Sequence, residues 1–357
     1  MTDGFEIDFL PVGSGERCGD AIVMRWREGQ AFRVMVYDGG TKEYGADLVA
    51  HIRKYFGTNH VDYLVNSHPD NDHAGGLSYV IENMSVGEVW MHRPWAYSRE
   101  ILDYFHDGRI THASLAERLK DKMAAAYAME EAAVARGVPV YEPFAGRRIG
   151  IFQVLSPTRD RYVHELVPAF EKSPELALES LLEATRGLIA KAMGFVAAKW
   201  HHEYLPENVT TSAENESSAI LFARCGGEGY LLTGDAGVQS LQAAAAFALS
   251  QGLYLPHLVT FVQIPHHGGR HNVSTTTLNG LLGLPVAEGT VPTRLAYVSA
   301  SANAPAHPKR VVTNAFKRRG FEVGQTKGQR IRHSFNMPPR ADYGPLVYLP
   351  FYGEVEQ

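Results

Sequence analysis

Four residues of metal-binding type fall within six positions of one loop, His68-Pro69-Asp70-Asn71-Asp72-His73. The loop directly follows a short apolar stretch, Val61-Asp62-Tyr63-Leu64-Val65, whose composition predicts a strand. Side chains alternate along an extended chain, so His68, Asp70 and Asp72 share one side, and His73 swings in as the turn tightens. Imidazoles together with carboxylates suit a hard or borderline divalent ion such as Mn²⁺ or Zn²⁺. The plainer reading is a polar turn whose Asp and Asn side chains cap a helix starting near Ala74. Four ligand types in six residues, followed by Gly75-Gly76, favour the metal.

Composition narrows the alternatives. The 357-residue chain has 16 histidines and only 2 cysteines, Cys18 and Cys225, which rules out a disulfide framework and a Cys-rich zinc site. A net charge of -5 argues against a surface that binds nucleic acid all over, although bound divalent ions would add positive charge to that count. The start, Met1-Thr2-Asp3-Gly4-Phe5-Glu6, lacks a basic segment and an apolar signal core. No apolar run reaches the roughly 18 residues of a membrane span. The expectation is a soluble cytoplasmic protein with no membrane partner.

The chain reads as strand-rich halves around a helical middle. Strands are expected at Phe5 to Val12, Ala21 to Arg25 and Phe32 to Tyr37, then a helix from about Ala46 to Phe56. Ser114-Leu115-Ala116-Glu117 has the spacing of a capping box before one long helix ending near Gly137. Ser173-Pro174-Glu175 opens a second, with Leu178, Leu181, Leu182, Leu188, Ile189, Phe195 and Val196 at helical spacing. Strands return at Ala219 to Ala223, Gly229 to Thr233, Leu258 to Ile264 and Leu295 to Ser299, followed by a helix from Pro308 to Arg319. This order predicts an α/β fold, an αββα sandwich forming a single domain over residues 1–357, with a helical insertion over 95–205.

The loop His68-Pro69-Asp70-Asn71-Asp72-His73-Ala74-Gly75-Gly76 resembles the signature of metallo-β-lactamase-fold hydrolases. That family usually has His where this chain has Asp70. The Asp variant looks like the hydrolase domain of ComEC-type competence DNA-channel proteins and their free-standing soluble relatives. Further pieces are similar in the same order: Val12-Gly13, Gly19-Asp20-Ala21-Ile22, Tyr37-Asp38-Gly39-Gly40, Asn215-Glu216-Ser217-Ser218, Leu232-Thr233-Gly234-Asp235, Ile264-Pro265-His266-His267-Gly268-Gly269 and Ala306-His307-Pro308.

The resemblance implies two divalent ions, zinc or manganese, held by His68, Asp70, Asp72, His73, Asp235 and His266, with Asp235 between them. Read on its own, Asp235 is equally suited to capping a helix from Val238. Either His266 or His267 is the ligand; the other would orient substrate. Asp72 steers the metal-bound hydroxide, and His267 or His307 stabilises charge on the transferred group. His201-His202, at the expected end of the second helix, is a weaker ligand candidate. The implied substrate is an anionic phosphodiester, single-stranded DNA in the ComEC-like reading. Lys309 and Arg310, with Lys317-Arg318-Arg319 and Lys327 to Arg332, would contact phosphates or else form a solvated face. A small-molecule hydrolase (a lactonase or phosphodiesterase) and a non-catalytic interaction module of the same fold are the alternatives. The insertion would cover the metal cleft as a lid or pair with a second copy in a homo-oligomer.

Overall fold

The computed structural model describes residues 4–13, 18–105, 110–170 and 194–356. In chain order its strands are β1 Phe5–Phe9, β2 Ala21–Glu28, β3 Ala31–Gly39, β4 His60–Val65, β5 Ser85–Trp90, β6 Val140–Tyr141, β7 Arg148–Ile149, β8 Phe152–Ser156, β9 Phe195–Ala197, β10 Ile220–Cys225, β11 Glu228–Leu232, β12 Phe261–Gln263, β13 Arg294–Val298, β14 Phe321–Gln325, β15 Ile331–Phe335 and β16 Glu354–Glu356. They form a first sheet of order β15-β1-β2-β3-β4-β5-β6, a second of order β14-β13-β12-β11-β10-β8-β7, and a small β16-β9 pair.

Alternation along the strands creates the layers. On β1, Phe5, Ile7 and Phe9 face a core between the sheets, where they meet Trp26, Tyr37, Phe152, Tyr230, Phe261 and Tyr297. The outer face of the first sheet packs on helical residues such as Leu48, Ile52, Leu77 and Ile81, and that of the second on Leu241, Ala244, Leu278 and Val312. Helix, sheet, sheet and helix are therefore stacked, as the sequence pattern predicts. The alternate β1 positions put Glu6 and Asp8 on the outer face, fully buried. Arg25, Arg332 and Arg340 neutralise Glu6, and Arg340 neutralises Asp8, which also lies 3.2 Å from His51 Nε2. No described helix is long and apolar enough to cross a membrane.

Among the described residues of 95–205, β6 extends the first sheet, and β7 and β8, in the stretch between the two expected helices, extend the second. The helix expected from Ser114 starts earlier, at His112, and breaks at Met123 into His112–Lys122 and Ala124–Ala135. Thr111 is the cap. Its hydroxyl accepts from the Ser114 N–H at 3.2 Å, and Ser114 Oγ accepts from the Thr111 N–H at 3.0 Å. Ser114 thus plays the part that the pattern gave to Glu117. Leu115, Leu119, Met123, Ala126, Met129 and Ala133 bury these helices in the first outer layer. Most of the second expected helix, including Ser173 to Ile189, lies outside the described residues. Phe195 and Val196 are not helical; they form β9, paired with β16 near the chain's end. That partner lies far along the chain, Val355 opposite Val196, beyond the reach of local periodicity.

Just past β5, His92 is buried against Tyr162, with ring centroids 4.2 Å apart and planes 21° apart, and against Phe144 at 5.0 Å. Neither ring nitrogen has a hydrogen-bond partner. Burial therefore disfavours the imidazolium and pulls its pKa down to about 3. The unfolded chain binds a proton at this residue below about pH 6.5 and the folded one does not, so stability falls as pH falls through that range. His92→Phe should remove this dependence. Between pH 7 and pH 5 the variant should lose about 2 kcal/mol less stability than the parent protein, as read by urea unfolding at the two pH values.

Candidate metal centre

The parallel strands β3 and β4 of the first sheet and β11 and β12 of the second end at the same edge of the sandwich, and their exits supply the site. β4 is followed by Asn66, Ser67 and His68. The chain then turns at Asp70, which occupies the cap position of the short helix Asn71–Ala74. The Asp70 side chain makes no capping bond; its backbone carbonyl accepts from the His73 and Ala74 N–H groups. Its carboxylate instead stands 3.5 Å from His68 Nε2.

Asp235 is also free of capping duty. The helix that follows is Val238–Ser250, capped at Gly237, and Glu216 takes its first N–H groups at Gln239 (3.3 Å) and Ser240 (2.7 Å). Gly234, with φ 52°, lets the chain pass so close to Ser67 that a Cβ there would lie 2.9 Å from the Ser67 Cβ. Asp235 is thereby brought against the His68 loop.

Four imidazoles converge on one oxygen, Asp235 Oδ2: His73 Nε2 at 3.3 Å, His266 Nε2 at 3.7 Å, His267 Nε2 at 3.8 Å and His68 Nε2 at 3.9 Å. Each has its other nitrogen engaged. His73 Nδ1 lies 2.9 Å from Asp38 Oδ2, His68 Nδ1 2.9 Å from Ser67 Oγ, His266 Nδ1 2.7 Å from Asn272 Oδ1 and His267 Nδ1 3.2 Å from the Ser299 carbonyl. These acceptors fix the proton on Nδ1 and leave the Nε2 lone pair facing inward.

The buried nitrogens His68 Nε2, His73 Nε2 and His267 Nε2 make no hydrogen bond, and neither does Asp235 Oδ1. Such orphaned atoms are costly unless something else satisfies them. Ligands about 2.0–2.1 Å from a tetrahedral ion lie roughly 3.3 Å from one another, close to the separations here. The residues present therefore fit a divalent metal. Among the described residues four trios place their ligand atoms within 4.8 Å of one another. Two of them take two residues each from the loop: His68, His73 and Asp235; and Asp72, His73 and His267, with His267 Nε2 3.9 Å from Asp72 Oδ2. His266 belongs to no such three-residue group among the described residues and is 37% exposed.

Electrostatics follow from this crowding. Burial works against charge on His73, but Asp235 and Asp38 outweigh it and hold its pKa well above the ordinary value, so that a metal ion bound at Nε2 would take the place of a proton there. Burial likewise favours the neutral form of Asp235, yet His73, His267 and His266 keep it well below the usual carboxylate range. His307, part-buried beside His267, His266 and Lys309, is pulled down to about 3, chiefly by burial.

Other sequence candidates lie at various distances from this cluster. Lys309 joins its edge, its backbone N–H donating to the Gly268 carbonyl at 3.0 Å. The Arg310 guanidinium lies over the rings of Phe195 and Tyr352, at 5.0 and 5.1 Å. Arg318 and Arg319 are neither solvated nor free to meet phosphate. Arg318 is buried on the carbonyls of Lys199, Trp200 and His202, and Arg319 forms a two-pronged pair with Glu203. Lys317 pairs with Glu322. His201 is exposed near Glu288, away from the other histidines of the site.

Asp38, which carries no signal of its own in the sequence, is central to the site. Asp38 accepts from the Ser67 N–H (2.7 Å), the Ser67 hydroxyl (2.6 Å) and His73 Nδ1. Ser67 Oγ in turn accepts from His68, so one carboxylate orients both imidazoles. Asp38 holds φ 63°, a conformation that Asn also tolerates. Asp38→Asn should keep the backbone while removing one acceptor site. Metal affinity should fall by roughly 10–100-fold in competition with a chromogenic chelator, with an unchanged circular dichroism spectrum.

Residues 21–164 match the family model described as the metallo-beta-lactamase superfamily. No curated protein matches the chain. Similar solved structures include the metallo-beta-lactamase fold protein YhfI from Bacillus subtilis, at 7% identity and TM-score 0.41, covering 93% of this chain and 100% of that one. Unliganded yeast PDE1 aligns at 11% identity and TM-score 0.43 over 91% and 98% of the two chains. Metallo-beta-lactamase SMB-1 bound to 2-mercaptoethanesulfonate aligns at 10% identity and TM-score 0.31 over 77% and 86%. The mixed α/β architecture with two large sheets is consistent with the metallo-β-lactamase fold.

Proposed function

We propose that this protein is a metal-dependent hydrolase of phosphodiester bonds, with its active site around Asp235. The observation that carries the reading is the set of buried imidazole nitrogens with reserved lone pairs, all facing one carboxylate oxygen. His68, Asp70 and Asp235 would hold one divalent ion, and Asp72, His73, His267 and Asp235 a second. When bound, such ions act as Lewis acids and lower the pKa of water. Carboxylates among the ligands favour hard ions, which pair well with phosphate oxygens.

The chain's own groups have definable tasks. Asp72 is part-exposed at the mouth of the cluster and can accept a proton from the attacking water at its carboxylate. His307, with a pKa of about 3, is neutral across the physiological range. It would orient a substrate oxygen without adding charge. Lys309, at the edge of the His266–Gly268 turn, would meet a phosphate oxygen. Arg161 donates to Ser240 at 2.7 Å and lies 3.5 Å from Glu216, which ties the segment around residues 159–170 to the helix that follows Asp235. That segment would border the substrate and shape specificity.

Within the phosphodiester class a small substrate is favoured over a long DNA strand. Arg318 and Arg319 are spent on internal carbonyls and on Glu203, so the helix Arg310–Arg318 presents no continuous basic track. The test is a panel of bis-p-nitrophenyl phosphate, single- and double-stranded DNA and a lactone, using protein stripped of metal and reloaded with Zn²⁺ or Mn²⁺. Metal-dependent cleavage of the small diester is expected, and Asp72→Asn should lower kcat by roughly 100-fold or more. Failure to cleave any diester with either metal would overturn the reading.

A further inference from the structure

The Gly19-Asp20-Ala21-Ile22 segment brings a carboxylate into the centre that the ligand set above omits. Asp20 is only 2% exposed. Gly19 packs so tightly on the metal loop that a Cβ would lie 2.5 Å from the Asp72 carbonyl oxygen, and the Asp20 N–H donates to that same carbonyl. Asp20 is thus anchored to the backbone of a ligand residue.

Its two oxygens have different surroundings. Oδ2 accepts from Gln263 Nε2 at 2.8 Å. The Gln263 amide cannot turn round, because its own oxygen takes the N–H groups of Thr233 (2.9 Å) and Gly234 (3.0 Å). Oδ1 is buried and makes no hydrogen bond. Asp20, Asp235 and His267 each place a ligand atom within 4.8 Å of the other two. The grouping of Asp20 with Asp38 and His73 has another explanation, since His73 Nδ1 and Asp38 Oδ2 already bond to each other. The Ser299 hydroxyl and the His267 and His73 rings stand near this carboxylate without closing a hydrogen bond to Oδ1. A buried carboxylate oxygen left in that way is an expensive arrangement unless a cation answers it.

We propose that Asp20 is a ligand of the ion shared by Asp72, His73, His267 and Asp235, held in place by Gln263. The ion is a divalent cation of the oxygen-preferring kind, since Asp20 would bring the carboxylates around it to three. This rests on the metal reading above but adds a residue that the reading does not require.

The discriminating variant is Asp20→Asn. Asn keeps the shape and can still accept from Gln263, but it loses the charge. Metal-free protein is titrated with Mn²⁺ and with Zn²⁺ by calorimetry, and melting is followed with and without metal. In the parent protein two ions should bind. In the variant one of the two sites should weaken by about 100-fold or more, beyond what the loss of an outer hydrogen-bond partner produces. The metal-induced rise in Tm should shrink, and the metal-free variant should melt no lower than the parent, because it no longer buries an unanswered charge. Binding within about 100-fold at both sites would overturn the assignment. So would a metal-free variant that melts below the parent, which would make Asp20 a packing residue. A parent protein that binds neither metal would bring down this inference and the metal reading together.

Discussion

The Asp38 carboxylate organises the centre. One oxygen takes the Ser67 N–H, and the other takes both the Ser67 hydroxyl and His73 Nδ1. Because Ser67 Oγ has given its proton to Asp38, it must accept from His68 Nδ1. Two imidazoles on opposite sides of a tight turn are thereby held in the same tautomer, with Nε2 aimed at Asp235. Without that chain of acceptors the rings could rotate or present an N–H inward, and the cluster would lose its capacity to bind a cation.

The sandwich makes this arrangement possible by bringing two sheet edges together. Asp38 and His68 leave the first sheet at β3 and β4, whereas Asp235 and His267 leave the second at β11 and β12. The aromatic core between the sheets fixes their spacing, and small residues allow the exits to touch, as Gly234 does against Ser67 and Gly19 against Asp72. His266 and His267 both adopt left-handed backbone conformations, φ 47° and 55°, which is unusual for residues with a Cβ. The strain is borne at the turn that points two imidazoles at the same carboxylate.

What could be read from the sequence was local. The His68 to His73 loop announces itself because its ligand types lie within one turn and follow a recognisable strand. The layered order of strands and helices was legible for a similar reason, since each element carries its own period. Asp38 and Asp20 gave no such signal. Their importance lies in burial and in partners far along the chain, Ser67 and Gln263. The same limit explains the errors. Lys317-Arg318-Arg319 reads as a basic face, but Glu203 and the carbonyls of residues 199–202 meet two of those side chains from over a hundred positions upstream. Phe195 and Val196 carry helical spacing, but pairing with β16 overrides it. Ser114 sits in a capping pattern, and the cap moved to Thr111 because Ser114 serves as well at the third helical position.

Everything proposed for this protein depends on metal binding at the cluster around Asp235. Crystals soaked in Mn²⁺ or Zn²⁺, with diffraction recorded on both sides of the metal's absorption edge, test it most directly. Two anomalous peaks flanking the Asp235 carboxylate, about 3.5–4 Å apart and within bonding reach of His68, His73 and His267, are the expected result. Peaks confined to surface histidines, with none at Asp235 under saturating metal, would contradict it.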